Sequence, residues 1–229
     1  MKITWLGQAG LMFETCEKTI LIDPYLSDSV KEIEPQNYRR VAVDDKFLKI
    51  KPDIIILTHN HLDHTDPETL KHYLENTSGV LVLASGNAWQ NVRKLFPFNH
   101  NYVQFNEGTQ WSEDGICFTA VYAEHSDSCA IGVIIEAENR KYYITGDTLY
   151  NKKLFSDLPH DIDAVFLPVN GVGNNMNFID GARLCEKLGC VAVPMHCGLF
   201  DSKNLSDFPY ENKVVPQFYR EIILSEVKK

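Results

Sequence analysis

The sequence predicts an α+β protein, a four-layer αββα sandwich made of two similar halves. Three observations carry that prediction. The order strand, loop, strand, turn, strand, aspartate occurs twice, over residues 3–23 and again over 116–147. In each half a short apolar run follows, Ile54-Ile55-Ile56-Leu57 in the first and Asp163 to Pro168 in the second, and each run leads into a polar loop and a helix. The loop leaving Leu57 is Thr58-His59-Asn60-His61-Leu62-Asp63-His64, which crowds three imidazoles and a carboxylate into six residues.

The first half opens with a strand from Ile3 to Leu6, a glycine loop from Gly7 to Gly10, a strand from Leu11 to Thr15, the turn Cys16-Glu17-Lys18, and a strand from Thr19 to Ile22 that ends at Asp23-Pro24. From Tyr25 to Phe47 prolines and charge pairs break any period, so a loop with a short helical turn is expected, forming one wall of a site. Ile54 to Leu57 is too short for an ordinary helix and apolar throughout, as a strand buried on both faces must be. Asp66 then caps a helix with Pro67 at its first position, running to about Asn76. Gly79 precedes the strand Val80 to Ala84, and a second helix from about Ala88 ends at Phe96, before Pro97.

The second half repeats the order. Ile116 to Tyr122, the loop His125-Ser126-Asp127-Ser128, Ala130 to Glu136, a turn at 138–141, and Tyr142 to Thr145 lead into Gly146-Asp147-Thr148, so Asp147 falls where Asp23 fell. The polar stretch Asn170 to Asn177 stands where the His loop stood. Asn177 caps a helix with Phe178, Ala182, Cys185 and Leu188 at helical spacing; Gly189 closes it, and the strand Cys190 to Met195 ends in His196. Val215, Phe218, Tyr219, Ile222 and Ile223 would share one face of a terminal helix over Pro216 to Val227.

With 229 residues, 44% of them hydrophobic, and no Pro/Gly/Ser-rich linker, one domain spanning 1–229 is expected. A net charge of -9 argues against a nucleic-acid surface, which needs clustered Lys and Arg, and favours a small-molecule substrate. Met1 to Glu14 has no apolar stretch of signal type, and no run of roughly 18 apolar residues occurs, so a cytoplasmic protein with no membrane partner is expected. Homo-oligomerisation stays open. Cys16, Cys117, Cys129, Cys185, Cys190 and Cys197 show no C-x-x-C spacing and are expected to be free thiols. Cys197 adjoins His196, but neighbours in a strand point to opposite faces, which argues against a nucleophilic Cys-His pair.

In extended backbone, side chains two apart point the same way, so His59, His61 and Asp63 share one side while the turn brings His64 alongside. Neutral imidazole and carboxylate suit Zn²⁺, with Mn²⁺ or iron as alternatives. Four such groups exceed what one tetrahedral site with an open position requires, so two divalent metal ions are expected.

The H-x-H-x-D-H loop in this strand-to-loop setting resembles the metallo-β-lactamase superfamily of binuclear metal hydrolases, whose fold is the αββα sandwich. The resemblance implies a further His after a later strand, a bridging Asp, and a last His near the C-terminus; His125, Asp147 and His196 stand at those places. It implies that His59, His61 and His125 hold one metal, that Asp63, His64 and His196 hold the other, and that Asp147 bridges them. It also implies a metal-bound hydroxide acting on a small ester or lactone, with Asp63 doubling as the catalytic group that orients the water. Glu124 and Asp127 flank His125 as either supporting partners or solvated carboxylates, whereas His72, His100 and His160 read as surface residues.

Trp5-Leu6-Gly7-Gln8-Ala9-Gly10, Ile22-Asp23-Pro24-Tyr25, Asn175-Met176-Asn177 and Pro194-Met195-His196 look like the L-ascorbate 6-phosphate lactonase branch of the superfamily. That likeness implies manganese and a phosphorylated sugar lactone as substrate. Asn175, Met176, Asn177 and Tyr25 are the candidate substrate-binding residues, the amides offering hydrogen bonds to hydroxyl groups and Met176 an apolar contact. One rival function is a phosphodiesterase or nuclease of the same fold, against which the acidic charge counts. The other is a non-hydrolytic metal-binding sensor or redox protein; diiron members of the superfamily carry a Glu in place of His61.

Overall fold

Two six-stranded sheets lie face to face in the computed structural model, which describes residues 1–15, 17–75 and 77–224. The first sheet runs in chain order through β1 (Lys2–Gly7), β2 (Gly10–Glu14), β3 (Thr19–Ile22), β4 (Ile54–Leu57), β5 (Leu81–Ala84) and β6 (Asn101–Gln104). The second does the same through β7 (Gln110–Glu113), β8 (Ile116–Tyr122), β9 (Ile131–Ala137), β10 (Arg140–Ile144), β11 (Ala164–Pro168) and β12 (Val191–Met195). Antiparallel pairing in β1–β2–β3 turns parallel in β3–β4–β5, and β8–β9–β10 turns parallel in β10–β11–β12 in the same way. The repeat in the sequence is thus a repeat of topology.

Alternation along each strand sorts its side chains between layers. In β4, Ile54 and Ile56 join the core between the sheets, while Ile55 and Leu57 pack under α2 (Pro67–Leu74) and α3 (Gly86–Leu95). Phe13 of β2 meets Tyr142 and Phe166 of the opposite sheet edge-on, with ring centroids 5.8 and 5.7 Å apart. Outside the second sheet, α4 (Phe178–Leu188) packs on β11 and β12, which completes four layers. The caps act as their residue types predict. Asp66 accepts from Glu68 N and Thr69 N, Asn177 accepts from Ile179 N and Asp180 N, and Gly189 closes α4 at φ 66°. The expected short helical turn after Tyr25 is α1 (Ser29–Ile33).

Three features depart from the sequence expectation. The edge strands β6 (Asn-Tyr-Val-Gln) and β7 (Gln-Trp-Ser-Glu) are additions to it, because edge strands half open to water carry little apolar signal. The helix expected over Pro216 to Val227 is absent from its described part, since residues 225–229 lie outside the described chain. Instead the segment runs beside β1: Tyr219 N donates to Trp5 O and Ile222 N to Ile3 O, each at 2.8 Å, while Phe218 stacks on Trp5 with ring centroids 4.3 Å apart. Capping the unpaired edge of β1 satisfies backbone groups of both partners, which a free-standing helix would leave undone. The third feature is His100, which is half-buried and ties β5 to α2 through Val80 N and Leu74 O, unlike exposed His72 and His160.

Cys117, Cys129, Cys185, Cys190 and Cys197 are free thiols, and Cys16 lies outside the described residues, as does Asn76 at the expected end of α2. Burial pushes the Cys197 thiol up to about 12, so it is no nucleophile. Among the described residues no helix is long and apolar enough to cross a membrane.

Candidate metal centre

The loop after β4 is shaped by its own hydrogen bonds. Thr65 N donates to His61 O at 2.8 Å and Thr65 Oγ1 to His59 O at 2.7 Å, which curls the chain until the His64 and His59 rings lie 4.0 Å apart. Asp127 braces this loop from the second sheet. It accepts from Asn60 N at 3.1 Å and Asn87 Nδ2 at 2.6 Å, and its own N–H lies 2.8 Å from Nδ1 of His125. Glu124 turns away and accepts from Tyr122 OH.

The strand ends deliver the remaining groups. His125 follows β8 and brings its ring centroid to 4.4 Å from His59 and 4.8 Å from His61. Asp147 follows β10 through Gly146, where φ is +60° and a Cβ would stand 2.6 Å from Ile131 O, so only glycine fits. His196 follows β12 with φ +66°, a region few non-glycine residues occupy, and its N–H donates to Gln8 O at 3.2 Å.

Seven residues named from the sequence therefore come together. His59, His61, His125 and Asp147 offer ligand atoms within 4.8 Å of one another, and so do Asp63, His64 and His196. The hydrogen bonds around these rings test whether a metal fits. Thr58 Oγ1 donates to Asp23 Oδ2 at 2.5 Å, so its 3.1 Å contact with His59 Nδ1 must be a bond it accepts, leaving His59 Nε2 with a bare lone pair. His64 Nδ1 donates to Asp23 Oδ2 at 2.8 Å, which frees its Nε2 likewise. His59 Nε2 and His125 Nε2 are buried without a hydrogen-bond partner, and Asp147 Oδ1 has none but the His64 ring at 3.2 Å. Buried polar atoms are rarely left so, and a cation would satisfy His59 Nε2 and Asp147 Oδ1, whereas His125 Nδ1 accepts from Asp127 N, so the neutral ring carries its proton on Nε2 and a cation would have to displace it.

The electrostatics divide the cluster in two. Burial, reinforced by the neighbouring imidazoles, pushes His59 well below its ordinary value and lowers His125, so both are neutral. Burial works to lower His64 and His196 as well, but Asp147 and Asp63 outweigh it, with Asp23 adding to the effect on His64, and both rings are raised. Burial opposes ionisation of Asp147 and Asp63, yet His64 and His196 hold both carboxyls below their usual range. A proton on His64, 3.2 Å from Asp147 Oδ1, thus stands where a cation is called for.

Two participants escape the sequence reading. Asp23 carries the relay just described; its signal is the internal repeat, which pairs it with Asp147. Gln8, at φ 47° in the Gly7-Gln8-Ala9-Gly10 loop, donates from Nε2 to Asp63 Oδ2 at 3.0 Å and approaches Nδ1 of His196 at 3.3 Å. No spacing in the sequence points to that contact.

A cavity of about 360 Å³ opens above these groups, walled by α1 on one side and the 170–175 loop on the other. Of the four candidate substrate-binding residues, Asn175 lines it, with Nδ2 donating to Asp147 Oδ2 at 3.0 Å. The other three stand elsewhere. Tyr25 is fully buried behind the wall and accepts from Val30 N, Met176 belongs to the core, and the Asn177 amide is occupied as the cap of α4.

Residues 18–197 match the family model described as Beta-lactamase superfamily domain. The chain is similar to a UPF0173 metal-dependent hydrolase of Flavobacterium johnsoniae, 34% identical over 186 residues that cover 76% of this chain and 73% of that one. It is also similar to a UPF0173 metal-dependent hydrolase of Geobacillus thermodenitrificans, 30% identical over 213 residues and 87% of each chain. Its fold resembles that of the isothiocyanate hydrolase from Delia radicum gut bacteria, with a TM-score of 0.75 at 20% identity over 98% of this chain and 99% of that one.

Proposed function

Because this chain belongs to the metal-dependent hydrolases of the metallo-β-lactamase superfamily, in the UPF0173 family, we propose that it hydrolyses a small ester or lactone at a centre of two divalent metal ions. The observation that carries this reading is the gathering of His59, His61, His125 and Asp147 ligand atoms within 4.8 Å of one another beneath a cavity. His59, His61 and His125 would hold one ion, Asp63, His64 and His196 the other, with Asp147 shared between them. Five imidazoles against two carboxylates suit Zn²⁺, and Mn²⁺ is the second ion to test. When bound, the ions supply Lewis acidity and a water ionised near neutral pH.

The residues of the chain supply the rest. Asp63 is the group placed to orient the attacking water, because Gln8 Nε2, at 3.0 Å, fixes its Oδ2. Asn175 holds Asp147 from the cavity side, and Asp23 keeps His59 and His64 in the tautomers that ligate.

Metal analysis of freshly purified protein, followed by assay on lactones, aryl esters and bis(4-nitrophenyl) phosphate, tests the proposal. Two equivalents of metal with ester or lactone turnover support it. Diester turnover exceeding both would make the protein a phosphodiesterase, and metal without turnover of any of them would favour a non-hydrolytic metal-binding role.

A further inference from the structure

We infer that the cavity takes an uncharged substrate whose non-reacting end is apolar, and that its mouth turns away anionic substrates, the phosphorylated lactone expected from the sequence among them. The inference rests on the hydrolase reading above and specifies its substrate class.

The mouth is made by two elements that each present an aliphatic side chain to open solvent. Ile33 of α1 is 73% exposed and Val172 of the facing loop 62% exposed, and both line the cavity. Leu62 and Phe200 continue the apolar wall toward the metal ligands. Ligand sites are mostly apolar with a few placed polar groups, and exposed aliphatics gathered at such a rim are surface that an apolar ligand would cover.

Charge points the same way. Apart from the candidate metal ligands, the charged side chains lining the cavity among the described residues are Glu34 and Asp201, both acids, with no Lys or Arg. The nearby cations stand outside the lining and donate to neutral groups rather than forming a fork into the cavity: Arg39 to Tyr25 O and Tyr219 OH, Arg40 Nε to Phe200 O, and Lys203 Nζ to Asn170 O. A lactone reacts at its carbonyl on the cavity floor, so a phosphate at its far end would sit at the mouth. There it would meet carboxylates and find no cationic fork of the kind that binds phosphate.

Four lactones test this with the metal-loaded protein: δ-decalactone, γ-butyrolactone, glucono-1,5-lactone, and the 6-phosphate of the last. The expected order of kcat/KM places δ-decalactone at least about tenfold above the 6-phosphate, and the 6-phosphate below its own parent. Glu34→Lys should raise the ratio of phosphorylated to parent turnover about tenfold. Ile33→Asp should lower the ratio of δ-decalactone to γ-butyrolactone turnover by a similar factor, while Ile179→Asp, an exposed aliphatic away from the cavity, leaves both ratios unchanged. Saturation-transfer NMR of δ-decalactone with chelator-treated protein reads binding without catalysis and should show a signal that Ile33→Asp abolishes. Preference for the 6-phosphate over its parent, or a signal insensitive to Ile33→Asp, would overturn the inference. If the metal-loaded protein turns over none of the lactones and no aryl ester, the hydrolase reading fails, and the NMR arm decides this one by itself.

Discussion

Asp23 Oδ2 accepts the Nδ1–H of His64 at 2.8 Å, and through Thr58 Oγ1 the same carboxylate orders His59. One aspartate at the end of β3 therefore sets the tautomer of a proposed ligand in each half of the candidate metal centre. Asp147, its counterpart at the end of β10, lies 3.2 Å from the other nitrogen of the His64 ring.

Substituting Asp23 by Asn removes the anionic acceptor without changing shape. Metal affinity, measured by competition with a chelating dye, should fall about 10- to 100-fold. An unchanged affinity would mean that the relay is structural only.

Removing Asp147 acts on both halves at once. Asp147→Ala should lower the metal content of purified protein by at least one equivalent if, as proposed, Asp147 is the anionic ligand shared by both ions. Full occupancy and activity in this variant would rule out a bridge at this position.

The raised His64 gives the metal-free chain its own pH dependence. A group raised on folding contributes stability that is fully present below its unfolded value, here 6.5, and is lost as pH rises through the folded value. Asp147 and Asp63 are lowered, so their contribution is present above 3.8 and is lost as pH falls through their folded values. Chelator-treated protein should therefore lose stability in thermal melts as the pH rises above 6.5. Metal-loaded protein should show the opposite trend below neutrality, gaining occupancy and activity as the pH rises above about 6, because metal must displace those protons. Flat occupancy and activity across that range would contradict the assignment.

Asn175 has two roles that separate experimentally. It donates to Asp147 and also faces the cavity. If holding Asp147 dominates, Asn175→Ala should weaken metal binding and lower kcat, whereas a substrate contact would raise KM with metal content intact, at a cost of about 1 to 3 kcal/mol in kcat/KM.

The C-terminal segment should matter for stability. Phe218 stacks on Trp5, and Trp5 Nε1 donates to Gln8 O at 2.9 Å, so the strap supports the loop that holds Gln8. Phe218→Ala should cost about 2 kcal/mol in denaturant unfolding, less than a fully buried Phe because the ring is half-buried. A loss below a few tenths would show that the strap merely decorates β1.

What the sequence determined by itself was whatever depends on near neighbours. The apolar run of β4, the Asp66 and Asn177 caps, and the placing of His59, His61, Asp63 and His64 on one loop follow from side-chain period and turn chemistry over a few residues. The internal repeat extends that reach, because equivalent strands in the two halves carry His125, Asp147 and His196 to their ends. What only the tertiary structure decided were contacts set by strand register between distant segments. Asp23 meets His64 across 41 residues and Gln8 meets His196 across 188, and the terminal segment pairs with β1 because an open strand edge there needs hydrogen bonds more than the segment needs its helical stripe. The acidic, apolar mouth of the cavity belongs with these, since Ile33, Glu34, Val172 and Asp201 become neighbours only when α1 and two loops far apart in the chain close over the same strand ends.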